Sequence, residues 1–460
     1  MTSTRNRQTL RPRSFLRSVS VLVAGTAFGH VITAAALPLA TRLYSPADFS
    51  TLALFAGIVS IIGPAACLRF DIAIPMPEAD MDAVGLLALS VAATAVVSLS
   101  AAVLAAMGAS WLASGNAAQA ALADWIWLLP VGIFSVASFA AFQSFLVREK
   151  AFPLLAKARV AQSAMSASAQ LGLGWLGVGP VGLLIANILY GAASFPWLVW
   201  RVITAHGHRL RAISSAQLRS LAASYKRFPQ FSTLESLANS ASIQLPVILI
   251  ATMAAGPEAG FLLLAMQVMQ VPMAVIGSAV GQVYLSQAPT AYREGRLGPF
   301  TAEVLVSLMR AGTGPLLFAA IVSPIAFPLL FGAPWERAGW LVSWMVPWFL
   351  MQFLASPVSM ALHVTGHQSV ALKLQVIGLV VRVGAVIAAA EWAPEQLGEV
   401  YALSGFVFYA VYLGAVMSIT EIAVPRLFAK FGKTSAITLA WVLAACALLM
   451  AHAQLARRLA

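Results

Sequence analysis

Thirteen long apolar runs fill this 460-residue chain, and its lysines and arginines gather in every second gap between them. An α-helix needs roughly 20 apolar residues to cross the hydrocarbon core of a bilayer. No water is present there to satisfy an open backbone, so spanning segments are helices or closed barrels. Runs of this length predict an all-α, polytopic membrane protein. The gaps on the side of the N-terminus hold twenty-two cations, from Arg5, Arg7 and Arg11 through Arg148, Lys157, Arg159, Arg209 and Arg219 to Lys433. The alternate gaps hold two, Arg42 and Arg337. Because cations collect on cytoplasmic loops, the N-terminus is expected inside.

Composition agrees. Residues are 60% hydrophobic and 10% charged, where a soluble chain carries about a quarter charged residues. A net charge of +12 would suggest nucleic acid in a soluble protein. Here it reflects loops lying beside anionic lipid headgroups, and no nucleic-acid partner is expected. Cys67 and Cys446 both lie in apolar runs and form no disulfide framework. The arginine-rich start imitates a signal peptide, but its apolar stretch is long for one and further spans follow, so it reads as a retained first helix.

Membrane helices are expected at about 18–40, 49–70, 83–109, 121–147, 155–176, 179–203, 230–253, 259–285, 301–331, 338–362, 370–390, 397–421 and 435–453. The gaps facing away from the cytoplasm are short and hold no extramembrane domain. The longest gap is basic and divides six helices from six. This gives a cytoplasmic N-terminus at 1–17, a six-helix lobe at 18–203, a linker at 204–229, a second lobe at 230–424, and an extra helix and tail at 425–460. A faint parallel repeat supports two lobes in pseudo-twofold arrangement. Leu37-Pro38 before Ser45-Pro46-Ala47-Asp48-Phe49 matches Leu245-Pro246 before Gly256-Pro257-Glu258-Ala259-Gly260-Phe261. Trp127-Leu128-Leu129-Pro130 likewise matches Trp344-Met345-Val346-Pro347. The thirteenth run falls outside this scheme and is read as a span, with an interfacial helix as the alternative.

Two soluble-protein motifs fail. Gly172-Leu173-Gly174-Trp175-Leu176-Gly177 fits a dinucleotide fingerprint, but no strand precedes it. Gly432-Lys433-Thr434-Ser435 resembles the end of a phosphate-binding loop, yet Leu427 stands where its first glycine belongs. No ATP hydrolysis by this chain is expected. His363 and His367 have ligand spacing, but no acid or cysteine completes a set, so no metal site is expected.

Polar groups inside the apolar runs carry more information, because a charge at the bilayer centre costs roughly 3 kcal/mol or more unless paired or hydrated. Arg310 and Arg382 lie within the ninth and eleventh runs, Arg69 closes the second, and His30 sits near the middle of the first. Glu235, Asn239 and Ser242 share a face of the seventh. Gln267, Gln270, Ser278 and Gln282 fall near one stripe of the eighth. Single residues of this kind can be snorkelling or helix–helix hydrogen bonds. Two facing polar stripes are better explained by a hydrated central cavity.

Arg42-Leu43-Tyr44-Ser45-Pro46-Ala47-Asp48-Phe49 and Leu68-Arg69-Phe70-Asp71-Ile72-Ala73-Ile74-Pro75 resemble segments of bacterial oligosaccharide flippases. These are the O-antigen translocase type, polysaccharide biosynthesis transporters of the multidrug/oligosaccharidyl-lipid/polysaccharide exporter superfamily. Phe228-Pro229-Gln230-Phe231-Ser232, Gln244-Leu245-Pro246, Ile276-Gly277-Ser278-Ala279, Leu330-Phe331-Gly332 and Ala355-Ser356-Pro357 continue the likeness, which covers about 14–420. It implies a bacterial inner-membrane protein that is not an enzyme. It also implies alternating access and a polyprenyl-diphosphate-linked oligosaccharide as cargo for O-antigen, capsule or exopolysaccharide assembly, beside a polymerase and chain-length machinery. By that resemblance His30, Arg42 and Arg69 line one lobe, and Glu235, Asn239, Gln267 and Gln270 the other. Gln282, Arg310 and Arg382 join them as candidates from their polarity. The second lobe departs from a strongly cationic cavity in offering amides and one glutamate. No cofactor is expected. Coupling to proton, sodium or membrane potential fits, with Glu235 or His30 as the proton-linked groups. The alternatives are a cation-coupled drug antiporter of the same fold, which would favour an acidic cavity, and a polysaccharide polymerase, which would need longer outer loops.

Overall fold

The computed structural model describes residues 12–273, 277–422 and 435–459. Each expected run is built of helix, and eleven of the described helices are long and apolar enough to cross a membrane. The fifth run is less apolar, since Lys157, Arg159, Gln162 and Gln170 interrupt it. The eighth is described as helix over Glu258–Pro272 and Ser278–Arg293.

The first lobe holds α1 (Pro12–Leu43), α2 (Pro46–Ala66), α3 (Phe70–Ala73), α4 (Asp80–Ala113), α5 (Ala117–Ala123), α6 (Leu128–Arg148), α7 (Phe152–Trp175), α8 (Pro180–Ala192) and α9 (Phe195–Ala212). After the linker helix α10 (Ser215–Ser224), the second lobe holds α11 (Thr233–Met253), α12 (Glu258–Pro272), α13 (Ser278–Arg293), α14 (Leu297–Phe331), α15 (Glu336–Val358), α16 (Ala361–Val364), α17 (Gln368–Trp392) and α18 (Leu397–Ile419). The repeat is realised in the packing. α1 lies along α7 as α11 lies along α17, and α7 meets α8 as α17 meets α18. α6 sits against α2, α4 and α8 just as α15 sits against α12, α14 and α18. The extra helix α19 (Ser435–Leu459) runs along α14, with Trp441 seated over Gly314 and edge-on to Phe318.

Several boundaries depart from the sequence reading, each for a local reason. The second run ends at Ala66, because Leu68 and Arg69 adopt left-handed backbone (φ 50° and 57°) before α3 begins. Arg69 therefore does not close that helix but caps the next one. The sixth run breaks between α8 and α9, where Pro196 stands in the first turn of α9 and removes a backbone donor. The linker contains the helix α10, whose Leu221 packs on Gly85 of α4. Exposed Trp111, Trp175 and Trp392 lie at one end of the bundle and exposed Trp200 toward the other, at the levels where amphipathic rings meet lipid headgroups.

The lobes meet at the end of the bundle opposite the basic gaps. α2 starts there on a reciprocal cap, in which Ser45 Oγ accepts from Asp48 N (3.2 Å) and Asp48 Oδ2 accepts from Ser45 N (2.8 Å). Gly260 N donates to Ser50 Oγ across the divide (2.9 Å), and Asn116 Nδ2 donates to Ala251 O (2.7 Å). Trp335 Nε1 donates to Thr41 O (3.1 Å) while its ring meets Phe49 edge-on at 4.8 Å. Arg42 Nη2 donates to Leu329 O (3.1 Å). Arg337 holds the second lobe's side together, reaching Glu258 at 2.9 Å and Glu399 at 2.5 Å, and so joins the starts of α12, α15 and α18. The two flanks differ. α2 packs broadly along α11, where Gly57 admits Ile248, whereas the equivalent contact of α1 with α12 is slight.

Candidate functional site

A cavity of about 350 Å³ opens between the lobes, beginning within a helical turn of the Ser50–Gly260 contact. Such a volume lies at the lower end of small-ligand sites. From the first lobe α1 gives Thr33, α2 gives Ser60, α7 gives Ser166 and Gln170, and α8 gives Asn187 and Tyr190. From the second lobe come Gln244 of α11 and Gln267 and Gln270 of α12. The remaining wall is apolar, built from residues such as Leu37, Leu52, Val247 and Met266. Among the described residues, none that lines it is acidic or basic. Amides and hydroxyls both donate and accept, so this lining suits polyhydroxyl groups rather than a compact cation.

Among the described residues, Arg159 and His30 lie beyond the wall toward the basic end. Arg159, Ser163, Ser166 and Gln170 follow one face of α7 at helical spacing, and Arg159 is two turns from Ser166. Its guanidinium donates to Gln143 Oε1 (2.5 Å), lies within electrostatic reach of Tyr190, and stands 4.8 Å from the centre of the Phe139 ring. His30, half-buried and one turn before Thr33 on α1, lies within its electrostatic reach. Tyr190 thus belongs both to the cavity wall and to the Arg159 cluster. Sequence reasoning counted Arg159 among the gap cations. The signal that marks it is the stripe of Ser163, Ser166 and Gln170 ahead of it on the same face.

Of the residues expected to line a cavity, Gln267 and Gln270 do so, and His30 adjoins it. Arg42 is exposed and sits in the closing contact instead. Arg69 lies in the turn after α2, where Nη1 donates to Pro64 O (3.3 Å) beside the buried Asp71. Burial pushes the Asp71 carboxyl up from its ordinary range, and the Arg69 charge only partly offsets this. Glu235 and Asn239 are exposed near the start of α11 and are not among the lining residues. Arg310 is exposed on α14. The side chain of Gln282 lies outside the described residues.

Arg382 is buried, but inside the second lobe rather than between lobes. Its guanidinium carbon stands 4.3 Å from the Phe408 ring centre, 5.4 Å from Tyr409 and 5.8 Å from Trp348. Nη1 reaches Ser242 O at 3.4 Å. Pro246, four residues on, has no N–H with which to engage that carbonyl. Tyr401 Oη donates to the next carbonyl, Ile243 O (3.3 Å). Arg382 and Tyr401 therefore take up backbone acceptors that the proline weakens or frees.

A family model described as polysaccharide biosynthesis protein matches residues 39–339. No curated protein matches the chain. Among solved structures, the chain is similar to an inward-facing multidrug resistance MATE family transporter of the MOP superfamily, with 14% identity and a TM-score of 0.64 over 85% of this chain and 95% of that one. It is similar to the lipid II flippase MurJ in an inward closed conformation, with 11% identity and a TM-score of 0.64 over 93% and 98%. The outward-facing conformation of a MATE family transporter matches with 14% identity and a TM-score of 0.53 over 89% and 96%.

Proposed function

Because the chain belongs to the polysaccharide biosynthesis protein family, as a multi-pass membrane transporter of the MOP superfamily, we propose that it flips a polyprenyl-diphosphate-linked oligosaccharide. The direction is from the cytoplasmic to the outer leaflet of a bacterial inner membrane, for O-antigen, capsule or exopolysaccharide assembly. The observation that carries this reading is the neutral amide-and-hydroxyl cavity between the lobes, with Arg159 and His30 just beyond its wall. Amides and hydroxyls replace water around sugars, and an arginine fork matches phosphate geometry. The basic gaps support a cytoplasmic N-terminus, so the closed end faces outward and the cavity awaits cargo from inside. The two lobes, 18–203 and 230–424, then rock about the cavity, with 204–229 as their tether.

With the interior negative, outward movement of each negative charge releases about 2.3 kcal/mol per 100 mV. That supports potential-driven export with no cofactor. Proton coupling would place the titrating group at His30, half-buried within the electrostatic reach of Arg159, or at Glu235, in an exposed first turn. A drug antiporter of the same fold would hold its cationic cargo against carboxylates, and among the described residues none lines the cavity. A polymerase would need an extramembrane site, and the closed end carries only short connections such as that between α1 and α2. A polymerase and chain-length machinery are instead partners that receive the product. Deletion tests the reading: lipid-linked repeats should accumulate on the cytoplasmic leaflet. An unchanged leaflet distribution, with no second flippase present, would refute it.

A further inference from the structure

At the basic end of the first lobe, away from the cavity, α4, α6 and α9 enclose a polar pocket of about 590 Å³. Three arginines, Arg148, Arg201 and Arg209, face two carboxylates, Asp80 and Glu149. Both carboxylates are already engaged. Asp80 accepts from Arg148 and from Arg209, each at 3.2 Å, and Glu149 meets His206 Nε2 at 2.7 Å. Arg148 also donates to the carbonyls of Pro77 (2.5 Å) and Glu78 (3.2 Å), so it fastens the connection between α3 and α4. Arg209 Nη1 also reaches His206 Nδ1 (3.1 Å), so the arginine and Glu149 hold the ring from opposite sides. Arg201 is the cation left over: among the described residues its guanidinium makes no hydrogen bond or ion pair, and it is exposed at the pocket lining.

The surroundings indicate what complements it. Trp197, Arg201, Ala205 and His208 share one face of α9, and Trp197 and Trp200 are exposed where aromatic rings mark the headgroup level. The pocket floor is apolar, formed by Val84, Phe145 and Ala205. An excess cation at headgroup depth, above an apolar floor, suits an anion that carries its own hydrocarbon. Basic pockets between membrane helices take acidic lipid headgroups for this reason.

We propose that the α4–α6–α9 pocket binds the phosphodiester headgroup of an anionic phospholipid, with Arg201 as its principal ligand. The salt-bridged Arg148, Arg209 and Asp80 shape the pocket and hold it open. The lipid pins the end of α9, where the linker between the lobes begins. The inference does not depend on the identity of the transported cargo.

The test uses the full-length protein in detergent, titrated with dioleoyl phosphatidylglycerol, dioleoyl phosphatidylcholine, and glycerol 3-phosphate as the free headgroup. Bound lipid is read by native mass spectrometry and by thermal stabilisation. Phosphatidylglycerol should bind more tightly than phosphatidylcholine. Arg201→Gln should weaken phosphatidylglycerol by roughly tenfold, the loss of one charge-assisted hydrogen bond. Arg211→Gln, an exposed cation on the same helix that does not line the pocket, should leave it within about twofold. If the two variants lose affinity equally, the binding is diffuse attraction to a basic surface and the site does not exist. Glycerol 3-phosphate binding as tightly as the lipid would overturn the lipid assignment.

Discussion

Gly260 offers a direct way to disturb the closure between the lobes. A methyl group built on it would lie 2.0 Å from Pro46 O and 2.9 Å from Ser50 N. Both are backbone atoms of the first turn of α2, held by the Ser45–Asp48 cap, so neither can swing aside. Ordinary contact begins near 3.4 Å, so Gly260→Ala requires the lobes to part by about 1.4 Å there. That separation breaks the Gly260 N to Ser50 Oγ bond, leaving a buried donor unsatisfied at about 1–3 kcal/mol. If the lobes stay together instead, the crowding costs about 1–3 kcal/mol. Either cost, at ~2 kcal/mol, shifts the balance of closed and opened forms by roughly thirtyfold. Spin labels at exposed Ser114 of one lobe and exposed Glu395 of the other, on a Cys446→Ser background, report the separation by double electron–electron resonance. The variant should show a longer, redistributed distance, while Gly256→Ala, where a methyl meets nothing within 4 Å, should match the native protein. An unchanged distribution for Gly260→Ala would show that this contact does not hold the closed end shut.

Other perturbations address the interior. Arg159→Gln should lower flipping in proteoliposomes by roughly 10- to 100-fold, the scale of one charge-assisted contact, with Arg159→Lys intermediate; native rates in the glutamine variant would remove Arg159 from cargo handling. For Arg382, lysine should be worse than methionine in denaturant melts. Lysine keeps a buried charge but loses the planar stacking on Phe408 and Tyr409, at about 2 kcal/mol, whereas methionine discards both charge and penalty. The reverse order would refute the aromatic-cage account. Asp71 sets a pH dependence. Its folded-state affinity for a proton is raised, so the folded form holds the proton longer than the unfolded chain. Its favourable contribution is complete below the ordinary carboxylate range and is lost as pH rises through the elevated value. Asp71→Asn should therefore flatten stability against pH and raise it at neutral pH; a parallel curve for the variant would contradict the raised affinity.

The helices and their duplication were legible because hydrophobic length and charge alternation are local properties of a chain in a bilayer. Leu37-Pro38 and Leu245-Pro246 do occupy equivalent helices, α1 and α11, in the two lobes. The cavity was half legible. Gln267 and Gln270 form a stripe on one apolar helix, and the structure puts that stripe in the cavity wall. Glu235 and Asn239 have equally good spacing but stand at an exposed start of α11, because spacing defines a face without saying what the face meets. Arg382 shows a related gap: hydropathy detects a buried cation, yet the inside of a lobe and the space between lobes are equally apolar along the chain. Arg159 was hidden by the charge rule itself, which assigns a cation near a helix end to the adjoining gap.

The unequal flanks of the lobe interface determine how a large cargo can be accommodated. With α2 and α11 joined along a broad seam and α1 only lightly touching α12, rotation about that seam gives small displacements on one flank and large ones on the other. A cargo whose lipid trails through the loose flank would leave its tail in the bilayer throughout, so tail length would contribute little to selection. Discrimination would then rest on the part that must fit the chamber, which for the proposed cargo is the charged headgroup and the first sugars.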